Sequence, residues 1–211
     1  PTPEEYDAAR KWVDAGADED GRAEAPAPGV LPEALLTRTR DVLGYRFVPE
    51  QESWASYVNS TFRLMMERFV ELNEEALRVG LDVLIFPQGT RSKRLLPGHI
   101  GLSQIALHTQ ASVVPVGCNG CDGLYPGSSP WAQKGRVVYR VGEPIHYSDV
   151  PSMHIDEPYA PFTPDAENRH LKAFEAHASL VTERIDELLD EPYRRISDSS
   201  EDATTGVERF L

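Results

Sequence analysis

The sequence predicts an α/β fold with a mixed, largely buried β-sheet and helices on both faces. The strand signal is strongest at residues 83–86, Val-Leu-Ile-Phe, an apolar run of the kind buried inside a sheet. Pro87 ends this run because proline lacks a main-chain donor. The helix signal is the recurrence of apolar side chains at helical spacing over residues 53–79, 98–110 and 165–189. Helices of this kind are expected to pack on the sheet.

Length and composition indicate one main domain. The 211 residues are 40% apolar, which is enough to bury a core. We expect residues 1–30 to be a peripheral or flexible segment, residues 31–195 to form the α/β domain, and residues 196–211 to be an acidic tail. The formal net charge of -13 argues against general nucleic-acid binding and against docking of the whole surface on an anionic membrane.

No signal-peptide pattern and no stretch long and apolar enough to span a bilayer occurs in the sequence. We therefore expect a cytoplasmic protein, or one that is peripheral at a membrane. Contact with lipid would then take place at the interface, through an apolar patch or helix.

Ahead of the strongest strand signal, the sequence predicts a helix over residues 32–43 and a short strand over residues 44–48. A long helix follows over residues 53–79, and Gly80 supplies its stop. The apolar stripe of this helix is expected to face the core, with a groove for lipid as the alternative. Its members are Tyr57, Phe62, Met65, Met66, Phe69, Val70, Leu72 and Leu77.

Two further helices and two irregular segments are predicted after that strand. Residues 120–134 have the proline and glycine content of a surface loop, with a cover over a substrate as the alternative. Residues 151–164 contain four prolines and are expected to be a connection. The last helix, over residues 165–189, has Asp165 as its expected N-cap and Pro192 just beyond its end. The helix over residues 98–110 is expected to bury Leu102, Ile105, Ala106 and Ala111.

The polar turn after Pro87 is the best indication of function. Gly89 permits a close turn of the main chain. Thr90 and Ser92 supply hydroxyls, and Arg91 supplies a planar, permanently charged donor fork. These are the donors that a phosphate ester needs. Further positive charge is expected from the turn and from a later strand, with a solvated basic rim as the alternative, at Lys93, Arg94, Lys134, Arg136 and Arg140.

The residues of this turn resemble a known family. Residues 86–92, Phe-Pro-Gln-Gly-Thr-Arg-Ser, are similar to the third motif, F-P-E-G-T-R-S, of the glycerolipid acyltransferases, the superfamily that includes 1-acylglycerol-3-phosphate acyltransferase. Residues 112–117, Ser-Val-Val-Pro-Val-Gly, resemble the fourth motif, an apolar strand interrupted by proline. Residues 135–145 resemble the strand and G-x-P-I turn that usually close the family's sheet. The three matches occur in the family's order and cover roughly residues 60–150.

The resemblance implies transfer of an acyl group from acyl-CoA or acyl carrier protein to a hydroxyl of glycerol-3-phosphate or a lysophospholipid. It implies no metal and no cofactor beyond the acyl donor, and it leaves a membrane surface as a further partner. Gly89, Thr90 and Arg91 would hold the acceptor phosphate. Gln88 stands where the family usually has glutamate; it keeps an acceptor oxygen, gains a donor and removes a negative charge, which fits anion binding. The site wall would be formed by Val114, Pro115 and Val116.

The family's H-x-x-x-x-D motif does not occur in this sequence. The resemblance implies that its histidine is the general base and its aspartate orients that histidine. His170 with Glu175 comes nearest to the pattern, and the catalytic residues are unassigned. We expect that the motif precedes Pro1 in a longer protein. The alternatives are a relative that binds phospholipid or acyl carrier without catalysis, an enzyme with another base, and an unrelated phosphate-binding hydrolase.

The two cysteines form the pattern Cys118-Asn-Gly-Cys121. A structural zinc site needs four ligands, and the sequence has no second pair. The pair also follows a predicted strand in a glycine-rich loop rather than opening a helix, unlike a thioredoxin-type motif. We expect reduced thiols, with a reversible local disulfide as the alternative.

Overall fold

The computed structural model describes residues 36–42, 44–89, 92–124 and 131–195. These residues form a mixed helix and sheet structure with two compact units, Pro1–Glu71 and Leu72–Leu211, whose boundary falls inside a long helix. The expected peripheral segment at residues 1–30 and the expected tail at residues 196–211 lie outside the described residues. No helix among the described residues has the length and apolar character needed to cross a bilayer.

The first unit contains a small antiparallel hairpin of β1 (Arg40–Val42) and β2 (Tyr45–Phe47). The strand predicted at residues 44–48 is confirmed, but the helix predicted over residues 32–43 is wrong for residues 40–42, which form β1. Gly44 explains the difference, because its φ of 85° suits a tight turn that lets the two strands pair.

Helix α1 (Trp54–Arg78) begins against this hairpin. The ring of Phe47 is buried, with its centroid 5.2 Å from that of Trp54 and 5.1 Å from that of Tyr57. The hydroxyl of Tyr57 donates a 2.7 Å hydrogen bond to the carbonyl oxygen of Tyr45. Aromatic packing and this hydrogen bond therefore fix the start of α1 on β2.

The predicted extent of α1 is confirmed, and Gly80 follows it with a φ of 80°. The predicted core role of its apolar stripe is wrong for Phe62, Met65 and Phe69, which are exposed. Tyr57, in the first turn of the helix, packs in the aromatic cluster with Phe47 and Trp54. Helical periodicity in the sequence indicates that a face is apolar, but it does not determine how deeply each residue on that face is buried.

The second unit is organised around α2 (Gly101–Thr109) and α3 (Pro164–Glu187), which pack against each other. Gln104, fully buried on α2, links α2 to the segment ahead of α3. Its side-chain nitrogen donates to Glu167 at 3.0 Å, and its side-chain oxygen accepts from the main-chain nitrogen of Phe162 at 2.5 Å. The buried apolar residues of the two helices are Ile105, Ala106, Leu107, Ala166, Phe174, Ala178 and Val181.

Thr163 caps the N-terminus of α3, whereas the sequence predicted Asp165 in that role. The hydroxyl oxygen of Thr163 accepts from the main-chain nitrogen of Ala166 at 3.3 Å, and Pro164 occupies the first helical position. Asp165 lies in the first turn and pairs with Arg169 at 3.0 Å. The connection predicted over residues 151–164 contains only one short 3₁₀ helix, Pro151–Met153.

The second unit also contains an antiparallel pair of strands, β3 (Val116–Asn119) and β4 (Val138–Val141). Val113 pairs with Ile145 in an isolated bridge, and Pro115 interrupts the pairing between that bridge and β3. The end of α3 covers one face of the pair, where a Cβ at Gly117 would lie 2.7 Å from the Cβ of Leu188.

The other face of this strand pair is exposed, with Val116, Tyr139 and Val141 all open to solvent. The predicted largely buried sheet with helices on both faces is therefore not what the described residues form. They contain two separate two-stranded sheets, and α3 packs on one face of the β3–β4 pair. A strand is buried on both faces only when neighbouring elements cover both.

The strand predicted at residues 83–86 is wrong for the described part of the chain. These residues are not assigned to any strand, and Leu84 and Phe86 are 79% and 74% exposed. No strand among the described residues pairs with this segment. Local composition favours an extended chain here, but a β-ladder also requires a neighbour that exchanges main-chain hydrogen bonds with it.

Candidate functional site

The predicted turn after residue 86 is present. The main-chain nitrogen of Gly89 donates to the carbonyl oxygen of Phe86 at 3.1 Å, and the φ of Gly89 is 62°, in the left-handed region. The main-chain nitrogen of His99 donates to the carbonyl oxygen of Pro87 at 2.8 Å. The segment that leads into α2 therefore holds the turn in place.

Gln88 closes the loop that follows this turn. Its amide nitrogen donates to the hydroxyl of Ser92 at 2.9 Å and approaches the carbonyl oxygen of Arg94 at 3.5 Å. Ser92 in turn donates to that same carbonyl oxygen at 2.7 Å. A glutamate at position 88 would place a carboxylate oxygen against the carbonyl of Arg94, so the amide suits this loop better than the family's usual residue.

Thr90 and Arg91, the central residues of the predicted phosphate turn, lie outside the described residues. In sequence they fall between the two ends of the Gln88 hydrogen-bond network. Their role in holding a phosphate stays a prediction. The neighbouring Gln88 engages its amide nitrogen within the loop, which indicates a part in shaping the turn rather than in donating to a ligand.

The basic residues near the turn differ in how they are engaged. Lys93 lies 3.8 Å from Asp122 and is 55% exposed. Arg94 donates to the main-chain oxygen of Arg194 at 3.2 Å. Arg140, which the sequence offered as a contributor of charge, instead donates to the carbonyl of Leu188 at 2.9 Å and pairs with Asp190 at 2.8 Å. Lys93 is thus the most available of these cations.

His99 is the histidine that contacts the turn. A Cβ placed on Gly89 would lie 3.4 Å from Cδ2 of the His99 ring. Four of the other five histidines have hydrogen-bond partners elsewhere, whereas Nε2 of His170 is buried without a hydrogen bond among the described residues and lies 3.7 Å from Oε1 of Glu157. The four partners are Glu74 for His108, Ser112 for His146, Tyr147 for His154 and Ser103 for His177.

An open groove of about 360 Å³ begins at His99. One wall is the segment from Pro97 to Ile100, and the other is formed by residues of α3, including Glu175 and Thr182. The main-chain nitrogen of Gly98 donates to the hydroxyl of Thr182 at 3.2 Å, which fixes the two walls to each other. The groove is lined by one acidic residue, Glu175, and by one basic residue, Arg195.

The predicted wall residues Val114, Pro115 and Val116 lie on the lead into β3. Pro115 is fully buried, and its carbonyl oxygen accepts from the main-chain nitrogen of Gly142 at 2.9 Å. Val114 and Val116 are exposed. The hydrogen bond between Gly142 and Pro115 ties this segment to the end of β4. The role of the three residues as a wall of the phosphate site stays a prediction.

Sequence reasoning missed a buried polar pair formed by His177 of α3 and Ser103 of α2. The Nδ1 atom of His177 lies 3.1 Å from the hydroxyl of Ser103, and both side chains are buried. Burial lowers the pKa of His177, because charging the ring in an apolar surrounding is unfavourable. The available signal was a histidine one residue before Ala178, within the apolar stripe of the last helix.

The described residues contain no cluster of three or more histidine, cysteine, aspartate or glutamate side chains suited to a metal ion. What the described residues form here is a glycine turn with basic neighbours and an adjoining groove. A glycine turn of this kind can bind an anion when main-chain N–H groups or cations are directed at it.

Comparison with known proteins gives limited support for one enzyme class. A 1-acyl-sn-glycerol-3-phosphate acyltransferase of Cocos nucifera is 31% identical over 86 residues, which are 40% of this chain and 28% of that protein. No protein-family model matches the chain, and no solved structure matches it. The partial similarity suggests the acyltransferase superfamily and supports a general acyltransferase-like function.

Proposed function

We propose that this chain is part of an O-acyltransferase that transfers an acyl group to a phosphate-bearing acceptor. The donor would be acyl-CoA or acyl carrier protein, and the acceptor a lysophospholipid or glycerol-3-phosphate. The coconut protein is similar over only part of both chains, so the substrates are inferred from its name together with the chemistry of the turn.

The turn at residues 86–89 and its hydrogen-bond network carry this proposal. The positive φ of Gly89 and the Gln88–Ser92 hydrogen bond give the loop a defined shape on both sides of Arg91. A guanidinium held in such a loop would bind a phosphate through two parallel hydrogen bonds. Lys93, which is largely exposed, would add long-range attraction for the same anion.

The adjoining groove supports a location for the rest of the acceptor. It begins at His99, which contacts Gly89, so a glycerol backbone attached to a phosphate at the turn would extend into it. His99 would then lie near the acceptor hydroxyl. Of the six histidines it is the one against the turn, which makes it the candidate base if this chain itself performs the transfer.

The test is a mass-spectrometric transfer assay with acyl-CoA and either lysophosphatidic acid or glycerol-3-phosphate. We expect Arg91→Ala to lower the product yield by about tenfold to a hundredfold, since a charged hydrogen bond contributes about 1.5–3 kcal/mol. Arg63→Ala, which changes an exposed arginine on α1, is the matched control and should leave the yield unchanged. Equal product from wild type and Arg91→Ala would contradict the proposed site.

A second arm addresses the base. We expect His99→Gln to lower the transfer rate while leaving acceptor binding within about twofold, if the imidazole acts on the hydroxyl rather than on the phosphate. A parallel loss of binding and rate would instead assign His99 to the phosphate.

A non-catalytic binding role is the second candidate, since a turn with basic neighbours can bind a phosphate without a general base. On this hypothesis the chain binds phospholipid or acyl carrier through the same turn and forms no product. Calorimetric binding of lysophosphatidic acid that depends on Arg91, without any product in the transfer assay, would support it. The two candidates thus predict the same binding result and opposite transfer results.

A further inference from the structure

Cys118 and Cys121 are brought together by a turn at the end of β3. Their sulfur atoms are 3.0 Å apart. Gly120 has a φ of 88°, and a Cβ at this position would overlap the carbonyl oxygen of Arg136. The turn that joins the two thiols therefore depends on a glycine between them.

Asn119, which lies between the two thiols, and Asp122, which directly follows the second, are both anchored. The side-chain oxygen of Asn119 accepts from the main-chain nitrogen of Asp190 at 2.7 Å, and Asn119 is fully buried. Asp122 accepts from the hydroxyl of Tyr193 at 2.7 Å. Because both neighbours are held, the folded chain keeps the two sulfur atoms close without further ordering.

The two thiols differ in their surroundings. Cys121 is exposed, so a reagent in solution has direct access to its sulfur. Cys118 is half-buried on β3 and pairs in register with Tyr139. Burial, together with the hydrogen bond to Cys121, raises the pKa of Cys118 to about 11.

We propose that Cys118 and Cys121 are a redox modification site that forms a reversible intrachain disulfide with a small-molecule disulfide as the oxidant. The thiolate of Cys121 attacks one sulfur of the oxidant and forms a mixed disulfide, and the first small thiol leaves. The thiolate of Cys118 then attacks the Cys121 sulfur, forms the Cys118–Cys121 bond and releases the second small thiol. The protein loses two electrons and two protons, and the oxidant gains them as two thiols.

The order of attack follows from the surroundings of the sulfurs. Cys121 reacts first because it is exposed, and Cys118 completes the ring because it already lies beside Cys121. The second step needs the Cys118 thiolate, and burial of Cys118 disfavours that thiolate, so ring closure is expected to accelerate as the pH rises.

The experiment incubates the whole chain with mixtures of oxidised and reduced glutathione, quenches with acid, and maps unmodified thiols by alkylation and mass spectrometry. These are the only two cysteines in the sequence, so the assignment is direct. We expect both alkylation sites to disappear together and the peptide that contains them to become lighter by two hydrogen atoms. Two alkylated cysteines, or a stable glutathione adduct on wild type, would overturn the proposal.

Three comparisons separate the fold's contribution from ordinary thiol reactivity. Cys118→Ser should accumulate a glutathione adduct on Cys121 that wild type does not retain. The equilibrium constant for ring closure should be at least about tenfold larger in the folded chain than in urea. Gly120→Ala should lower it about tenfold, whereas Gly123→Ala, whose nearest added contact would be 3.8 Å away, should not. Equal constants in the folded and unfolded chains would also overturn the proposal.

Discussion

The side-chain amide of Gln88 donates a 2.9 Å hydrogen bond to Ser92, across the segment that contains the predicted phosphate-binding arginine. The hydroxyl of Ser92 in turn donates a 2.7 Å hydrogen bond to the carbonyl oxygen of Arg94. The three groups form a chain of donors and acceptors in which each proton has one acceptor. A carboxylate at position 88 has no proton to donate to Ser92, so it would interrupt this chain of hydrogen bonds.

Gln88→Glu is therefore expected to destabilise the loop. The carboxylate has no proton to donate to Ser92 at neutral pH, so we expect a loss of about 1–3 kcal/mol in the free energy of unfolding. Urea denaturation measures this loss. Gln133→Glu makes the same charge change at an exposed residue and should have little effect. Equal losses for the two variants would show that the charge, rather than the hydrogen bond, is responsible.

The N-cap of α3 gives a second prediction. Thr163→Ala removes the acceptor for the main-chain nitrogen of Ala166 and should cost about 1 kcal/mol. Asp165→Ala removes an exposed i,i+4 pair with Arg169 and should cost only about 0.3–0.5 kcal/mol. Thermal or urea unfolding of both variants decides between the two caps. A larger loss for Asp165→Ala would restore the role that the sequence predicted for it.

Gly117 gives a third prediction, because α3 ends directly against it. In Gly117→Ala the added Cβ would lie 2.7 Å from Cβ and 2.9 Å from the carbonyl oxygen of Leu188. Separating β3 from the end of α3 should cost about 1–3 kcal/mol. Gly123→Ala has no such contact and is the matched control. Unchanged stability of Gly117→Ala would mean that the helix end moves away without loss.

The buried His177 predicts a pH dependence of stability. Its pKa is lowered in the folded chain, so the unfolded chain binds the proton more tightly. The stabilisation from keeping the ring neutral is fully present above the ordinary pKa of 6.5 and is lost as the pH falls below that value toward the lowered folded pKa. We expect the free energy of unfolding to fall over this range.

His177→Gln tests the assignment, because it keeps a polar group beside Ser103 and removes the titration. Its free energy of unfolding should vary less than that of wild type below pH 6.5. Identical slopes for wild type and His177→Gln would exclude the buried histidine as the cause.

Features determined by local sequence were predicted well. The extent of α1, the stop at Gly80 and the turn at Gly89 depend on helical spacing and on glycine's access to positive φ, both of which are visible in the residues themselves. The strand at residues 45–47 likewise follows from local composition beside Gly44.

Features that depend on a partner were predicted poorly. Residues 83–86 have the composition of a buried strand, but no described strand pairs with them. The apolar stripe of α1 has the correct period and still exposes Phe62, Met65 and Phe69. The pairing of His177 with Ser103 joins residues 74 positions apart and leaves only a weak trace in the sequence. These contacts depend on which helices and strands lie next to each other in the folded chain. The periodicity of a single segment does not carry that information.

The open segment at residues 81–86 bears on how the purified protein behaves in solution. Leu84 and Phe86 are exposed to water in a stretch of β-prone composition with one acidic residue, Asp82. Stretches of this kind associate edge to edge between molecules, and the tendency grows with concentration. Light scattering should therefore detect reversible clustering of wild type that Leu84→Lys suppresses, and stock solutions kept dilute would remain monodisperse longest.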